Sequence, residues 1–197
     1  MKRVFDFLCS SIGLLVLFPV FLLVMLAIYL ESGGPVFFRQ ERVGKDGVPF
    51  HIIKFRSMVD RASEIGPEIT SAGDPRVTRV GQFLRRTKLD ELPQLLNVWS
   101  GEMSIVGPRP EVPSFVALYD DRQKEVLSVR PGITDPASIA YADEEKILGA
   151  ASDSYRAYVE QILPQKLELN LQYIKKMSLR SDIKIIFMTI GKILAKG

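Results

Sequence analysis

A single cysteine and a single histidine among 197 residues set the first limits. Cys9 cannot close a disulfide within the chain, and a single histidine, His51, is a thin basis for a zinc site or a Cys-His nucleophile pair. Disulfide scaffolds, zinc enzymes and Ser-His-Asp hydrolases are largely excluded by counting. Acidic residues are absent between Asp74 and Asp90, a stretch that carries Arg76, Arg79, Arg85, Arg86 and Lys88. Charge of either sign is absent from residues 7–30, and no repeat or low-complexity tract occurs anywhere.

What is present fits one catalytic unit with an apolar segment. The chain is 47% hydrophobic and still 25% charged, so the apolar excess must be concentrated, and disorder is disfavoured. The net charge of +3 favours anionic partners, phosphate first, without resembling a polybasic tail. Residues 7–30 would make ~36 Å of helix at ~1.5 Å per residue, against a hydrocarbon core of ~30 Å. No small-x-small cleavage site precedes Glu31, so the segment is expected to be retained. Lys2 and Arg3 lie before it and Arg39, Arg42 and Lys45 after it, which gives a spanning helix no clear orientation. Pro19, near the middle, removes a backbone hydrogen bond. Charge and proline alone leave a spanning helix and a re-entrant one equally open.

After Glu31, Gly33, Gly34 and Pro35 break the helix. Two strand-like runs, VFFRQERVG and PFHIIKFRSM, joined by Lys45-Asp46-Gly47, read as a hairpin with Lys54 and Arg56 on one face. Residues 60–73 read as a polar loop, and helical spacing returns with Val80, Phe83 and Leu84. Gly101, Gly107, Pro108, Pro110 and Pro113 punctuate one later loop, and Pro131, Gly132 and Pro136 another. Leu167, Leu171 and Ile174 mark a structural helix. Near the end, Ile183, Ile186, Phe187, Ile190, Ile193 and Leu194 share one face while Lys184, Lys192 and Lys196 fall on another, which predicts an amphipathic helix in a membrane interface.

The chemistry concentrates in residues 74–111. The basic run ends in the carboxylates Asp90 and Glu91, and no aromatic interleaving marks it as a nucleic-acid patch. The following helix is expected to put Leu92, Leu95, Leu96 and Trp99 on one face and Asp90, Gln94 and Asn97 on the other. Adjacent carboxylates among arginines suit a magnesium-bound diphosphate, although an Asp-Glu pair alone is also ordinary surface charge.

As a string the region is far more specific. KFRSM, DPRVTRVGQFLRRTKLDELPQLLNVWSGEMSIVGPRP and RPGIT, after an apolar segment that begins KRVFDF, closely resemble the bacterial sugar transferase family of small monotopic phosphoglycosyl transferases. The resemblance runs over residues 2–134 and resumes in SLRSDIKIIFMTIGKIL. It implies an α+β, mainly helical fold, with a re-entrant membrane helix over 1–31 and a cytosolic catalytic domain over 32–197 that ends in an amphipathic helix at about 178–196. It implies transfer of a sugar-1-phosphate from a UDP-sugar to polyprenyl phosphate, with UMP released, at the cytosolic face of the bacterial inner membrane. That would be the first membrane step in building an O-antigen, capsule, exopolysaccharide or glycoprotein. By match Asp90 is the nucleophile that carries the phosphosugar, Glu91 works with Asp90 and Mg2+, and Arg109 binds phosphate. Lys54, Arg56, Arg85 and Arg86 are further basic candidates, and Pro19 is the membrane break. Membrane lipids are expected partners, nucleic acid is not, and a homodimer is left open. Here the break is Phe18-Pro19 where many members have Ser-Pro. After RPGIT the chain has Asp135 and PASIAYADEE where many relatives have glycine and an Ala-Gln-Val-Asn-Gly-Arg-like stretch, which leaves the sugar unidentified. A membrane-bound scaffold and a phosphohydrolase remain the competing classes, and UMP release from a UDP-sugar separates them.

Overall fold

The uncharged run forms one helix, α1 (Lys2–Ser32), about 46 Å long at ~1.5 Å per residue. In the computed structural model, which describes residues 1–62, 65–66 and 73–195, this helix continues through Pro19. It stops where Gly33 and Gly34 take φ of 57° and 66°, a region closed to most side chains. Asp6, Ser10, Phe21, Val24 and Ile28 are buried, with Leu14 and Leu17 packed beside them, at spacings of three and four that define one stripe. Leu8, Ile12, Leu15, Leu22, Leu26 and Leu30 are exposed on the rest of the helix. The helix therefore lies along the body of the protein, with an apolar face left over.

Both of its ends are fastened to that body. At the start, Lys2 Nζ lies 2.5 Å from Asp182 Oδ2 and donates to Val106 O at 3.0 Å, while Asp6 accepts from Ser104 Oγ and from the Ile105 N–H at 3.1 Å. At the far end, Arg56 Nη2 donates to Ser32 Oγ at 2.6 Å and to Gly33 O, capping the helix C-terminus. Glu31 accepts the N–H groups of Arg79 at 2.9 Å and Val80 at 3.1 Å, at the positive end of the next helix.

The expected hairpin is present as β1 (Phe37–Val43) and β2 (Pro49–Phe55), antiparallel with Phe38 opposite Lys54. Arg56 falls just beyond β2, so the alternation that would pair it with Lys54 no longer applies and its guanidinium turns to α1. Thr78 caps α2 (Arg79–Thr87) through the Gly81 N–H at 2.9 Å. A tight turn, Leu89–Glu91, leads into α3 (Gln94–Ser100). Two strands that the sequence reading treated as loop follow: β3 (Ser104–Val106) and, after α4 (Pro113–Val116), the parallel β4 (Gly132–Thr134). At three residues each they are too short to show alternation. Among the described residues five α-helices follow, α5 (Pro136–Ala140), α6 (Glu144–Ala150), α7 (Ser154–Ala157), α8 (Leu163–Lys175) and α9 (Leu179–Leu194), with a π-helical stretch, Tyr158–Ile162, between α7 and α8.

Leu163, Leu167 and Leu171 of α8 join Phe115, Tyr119 and Val126 in the largest core. Phe55 and Leu84 pack beneath α1. α9 carries a capping box at Ser178 and leaves Ile183, Phe187, Met188, Ile190 and Leu194 exposed, while Ile186 turns inward to the cluster of Val106, Tyr173 and Ile185. Lys196 and most of the loop expected over residues 60–73 lie outside the described residues.

Candidate active site

α3 is inside out relative to an ordinary surface helix. Its polar residues Gln94 and Asn97 are buried, whereas Leu96 and Trp99 are exposed, with Trp99 stacked on Phe7 of α1 at a centroid separation of 6.1 Å. Asn97 explains the inversion. Its Oδ1 accepts the Ile53 N–H at 3.0 Å and its Nδ2 donates to His51 O at 2.8 Å, so the side chain acts as a further strand on the open edge of β2. That clamp fixes Lys54, the next residue.

α2 ends at Lys88, which holds φ 58°, an uncommon conformation for a side-chain-bearing residue. The turn that follows puts Asp90 and Glu91 side by side in unlike surroundings. Glu91 is fully engaged: Lys54 Nζ donates to its Oε1 at 3.1 Å, Arg109 Nη1 to its Oε2 at 3.2 Å, and Arg109 Nη2 to its Oε1. Burial opposes ionisation of Glu91, but Arg109 and Lys54 outweigh it and hold the carboxyl well below the usual range. Asp90 is only 7% exposed and its Oδ1 has no hydrogen-bond partner. Burial, and then the neighbouring Glu91 charge, push the Asp90 carboxyl up, against the pull of Lys54, Lys88 and Arg85. Burial also lowers the Lys54 ammonium, which Glu91 partly restores.

Arg109 reaches Glu91 from a loop held at each proline. Gly132 N–H donates to Pro108 O at 2.9 Å and Arg42 Nη1 to Pro110 O at 3.0 Å. The backbones approach so closely that a Cβ on Gly107 would lie 2.4 Å from Arg130 O. Behind Pro110, Glu111 Oε1 accepts the Tyr158 hydroxyl at 2.6 Å and its Oε2 lies 3.6 Å from Arg42 Nη1.

Asp90, Glu91, Lys54 and Arg109 are thus brought together. Arg85 is half-buried, with its Nε on Ser57 Oγ at 2.9 Å. Arg56 is drawn away to α1, Arg86 is exposed on α2, and Pro19 is exposed halfway along α1. The sequence marks Asn97 and Gln94 only as the polar face of a helix and Arg42 only as a flanking charge; Gln94 is in fact fully buried with neither amide atom partnered. An amide three residues beyond a carboxylate pair is common enough that only its burial singles it out. Chemically the arrangement offers one carboxylate with a free oxygen among fixed positive charges, suited to an electrophile that is itself multiply anionic.

A family model described as "Bacterial sugar transferase" matches residues 1–196. A relative from Escherichia coli (strain K12), named UDP-glucose:undecaprenyl-phosphate glucose-1-phosphate transferase, is 39% identical over 98% of this chain and 40% of its own length. One from Komagataeibacter xylinus, named undecaprenyl-phosphate glucose phosphotransferase, is 43% identical over 97% of this chain and 35% of its own length. The exopolysaccharide production protein ExoY of Rhizobium meliloti (strain 1021) is 37% identical over the whole chain and 87% of its own length. The chain therefore spans about two fifths of the length of the first two relatives and most of the third.

Proposed function

The chain belongs to the bacterial sugar transferase family, and from that premise we propose that it moves a sugar-1-phosphate from a UDP-sugar to undecaprenyl phosphate through a covalent intermediate on Asp90. The observation that carries the reading is the contrast between the two carboxylates: Glu91 is neutralised by Lys54 and Arg109, while Asp90 keeps a buried oxygen with no partner. A carboxylate needs no general base to attack phosphorus, only screening of the charge it approaches. Asp90 attacks the phosphorus bearing the sugar, the bridging P–O bond breaks, and UMP leaves with the electron pair. An oxygen of undecaprenyl phosphate then attacks the same phosphorus, breaks the acyl-phosphate bond and restores the Asp90 carboxylate. Arg109, Lys54 and Arg85 face the phosphoryl oxygens in this reading, and Arg109 is free to do so only by loosening its hold on Glu91.

The donor set fits Mg2+ through the partnerless Asp90 Oδ1, with Glu91 as second ligand once a cation leaves it. Among the described residues no three of His, Cys, Asp or Glu converge, so the ion would complete its shell from the diphosphate and water. When bound it supplies neutralisation of diphosphate charge.

The fastening of α1 supports a topology in which both of its ends stay on one side of the membrane, since the first and last turns of this helix of about 46 Å are bonded to one compact body. In this reading α1 dips into one leaflet at the cytosolic face of the inner membrane, with its exposed apolar face and that of α9 toward lipid. Pro19 lacks the N–H that would bond Leu15 O, and it lies on the exposed part of the helix, where a bend would form.

Purified protein with undecaprenyl phosphate in lipid, offered a panel of UDP-sugars, should release UMP with at least one of them and retain a phosphosugar on Asp90 when the lipid is left out. Phosphate release from the lipid without nucleotide would establish a hydrolase instead.

A further inference from the structure

Pro108 and Pro110 have no peptide N–H, so in the stretch Pro108-Arg109-Pro110 only Arg109 offers one. Its partner is a side chain. Past the end of β3 the chain stays bonded to β4, with Gly107 N–H donating to Thr134 O at 3.0 Å and Gly132 N–H to Pro108 O at 2.9 Å. The Arg109 N–H donates to Asp135 Oδ2 at 3.1 Å, just beyond β4. The same oxygen accepts Asn170 Nδ2 of α8 at 2.7 Å, and Oδ1 accepts the Ser138 N–H at 2.6 Å, capping α5. Asp135 is fully buried. One carboxylate thereby joins the start of α5, the middle of α8 and the one donor between the two prolines.

We propose that Asp135 is a positioning residue for Arg109: it fixes the peptide from which the guanidinium leaves the loop toward Glu91, and Asn170 fixes Asp135 in turn. The proposal rests on the reading of Arg109 as the phosphate-binding arginine. The two oxygens divide the labour. Oδ1 serves the fold by capping a helix; Oδ2 serves the loop. Asp135→Ser keeps a good capping oxygen for α5 and removes the arm that reaches Arg109. Asn170→Leu leaves both the cap and the Arg109 bond possible and removes only the support behind Oδ2.

The test is a double-mutant cycle in full-length protein, with kcat and KM for UMP release measured in Asp135→Ser, Asn170→Leu, Arg109→Lys and the two pairs that include Arg109→Lys. Asp135→Ser should lower kcat/KM about tenfold and Asn170→Leu about threefold, and each should cost less than twofold once Arg109 is already lysine. Losses that multiply in the pairs, or wild-type kinetics in Asp135→Ser, overturn the proposal. A readout independent of the reaction runs beside it: amide hydrogen exchange at Arg109 should accelerate in Asp135→Ser by at least tenfold while exchange across α5 stays within twofold. If wild-type protein releases no UMP from any UDP-sugar, the functional reading fails and the exchange result alone decides the placement of Asp135, with unchanged exchange at Arg109 overturning it. If Asp135→Ser does not fold, Asn170→Leu and its pair decide in the same way.

Discussion

Asp90 and Glu91 are neighbours in the chain and are pushed in opposite directions by the structure: Glu91, gripped by Lys54 and Arg109, is held ionised, while Asp90, buried with a partnerless Oδ1 beside the Glu91 charge, is driven toward its protonated form. Two carboxylates whose environments separate their titration take different tasks. The fully paired one organises the cations, and the other keeps an oxygen free for attack in its ionised form.

Removing that uncompensated charge should stabilise the fold as it abolishes transfer. A carboxyl raised in the folded state contributes stability that is complete below its unfolded value of ~3.9 and lost as pH rises through the folded value. Once ionised, the buried Asp90 is therefore a cost. Asp90→Asn should gain about 1–3 kcal/mol at pH 7–8, with the gain shrinking toward pH 4, and should show no UMP release. Thermal unfolding across that pH range checks it; a variant less stable than wild type at pH 8 would mean that Asp90 is compensated after all.

Glu91→Gln should move the acid limb of the reaction. Asp90 must be ionised to attack, so activity falls as pH drops through its raised pKa. With the Glu91 charge gone, one cause of that elevation disappears while the pull of Lys54, Lys88 and Arg85 on Asp90 remains. The residual UMP release of Glu91→Gln, weaker at every pH, should therefore lose activity at a lower pH than wild type does. A limb that stays in place or moves upward would remove Glu91 as the neighbour that tunes Asp90.

Gln94 carries an amide with both polar atoms fully buried and unpartnered, a cost of about 1–3 kcal/mol per group that a fold keeps only for a reason. Gln94→Met, of similar length and without the amide, should melt no lower than wild type yet lose at least tenfold in UMP release, because it removes an unpartnered donor and acceptor four residues after Asp90. Full activity in Gln94→Met would assign the amide no part in the reaction.

Much of this was legible in the sequence because the period or the spacing was long enough to carry it. The hairpin, the long apolar helix and the amphipathic α9 stand on patterns within short stretches, while Asp90, Glu91 and Arg109 are picked out as a set by the family resemblance of their motifs. What stayed hidden depended on partners far apart in the chain. Asn97 reads as the polar face of an amphipathic helix, and only its bonds to His51 and Ile53 show that this face is buried. Arg56 reads as a strand neighbour of Lys54, but the strand ends at Phe55 and the end of α1 captures the guanidinium. Asp135 reads only as a departure from the glycine that many relatives carry after RPGIT, and its bonds to Arg109, Ser138 and Asn170 become visible only in the fold.

The fastening of α1 at both ends yields the last prediction. Its first turn is bonded through Lys2 and Asp6 to Asp182, Val106 and β3, and its last through Glu31 and Ser32 to α2 and Arg56. Those contacts belong to the same body as Asp90, which under the proposed function meets a water-soluble UDP-sugar and a membrane-bound lipid in turn. A spanning α1 would have to surrender one set, and the Lys2 set is the more costly to break, because Asp182 would be left almost fully buried without its cation. In a Cys9→Ser background, single cysteines at Val4, exposed in the first turns of α1, and at Lys45, exposed in the hairpin turn, should both react with a membrane-impermeant thiol reagent in inverted vesicles and neither in intact cells. Labelling from opposite sides would establish a spanning helix. Asp182→Asn should act on the same balance from inside, since it weakens the grip on Lys2 without adding bulk. Its Val4 site should then label partly from the outside, in proportion to the activity lost, whereas unchanged labelling would show that Asp6 and the buried stripe hold the helix in place unaided.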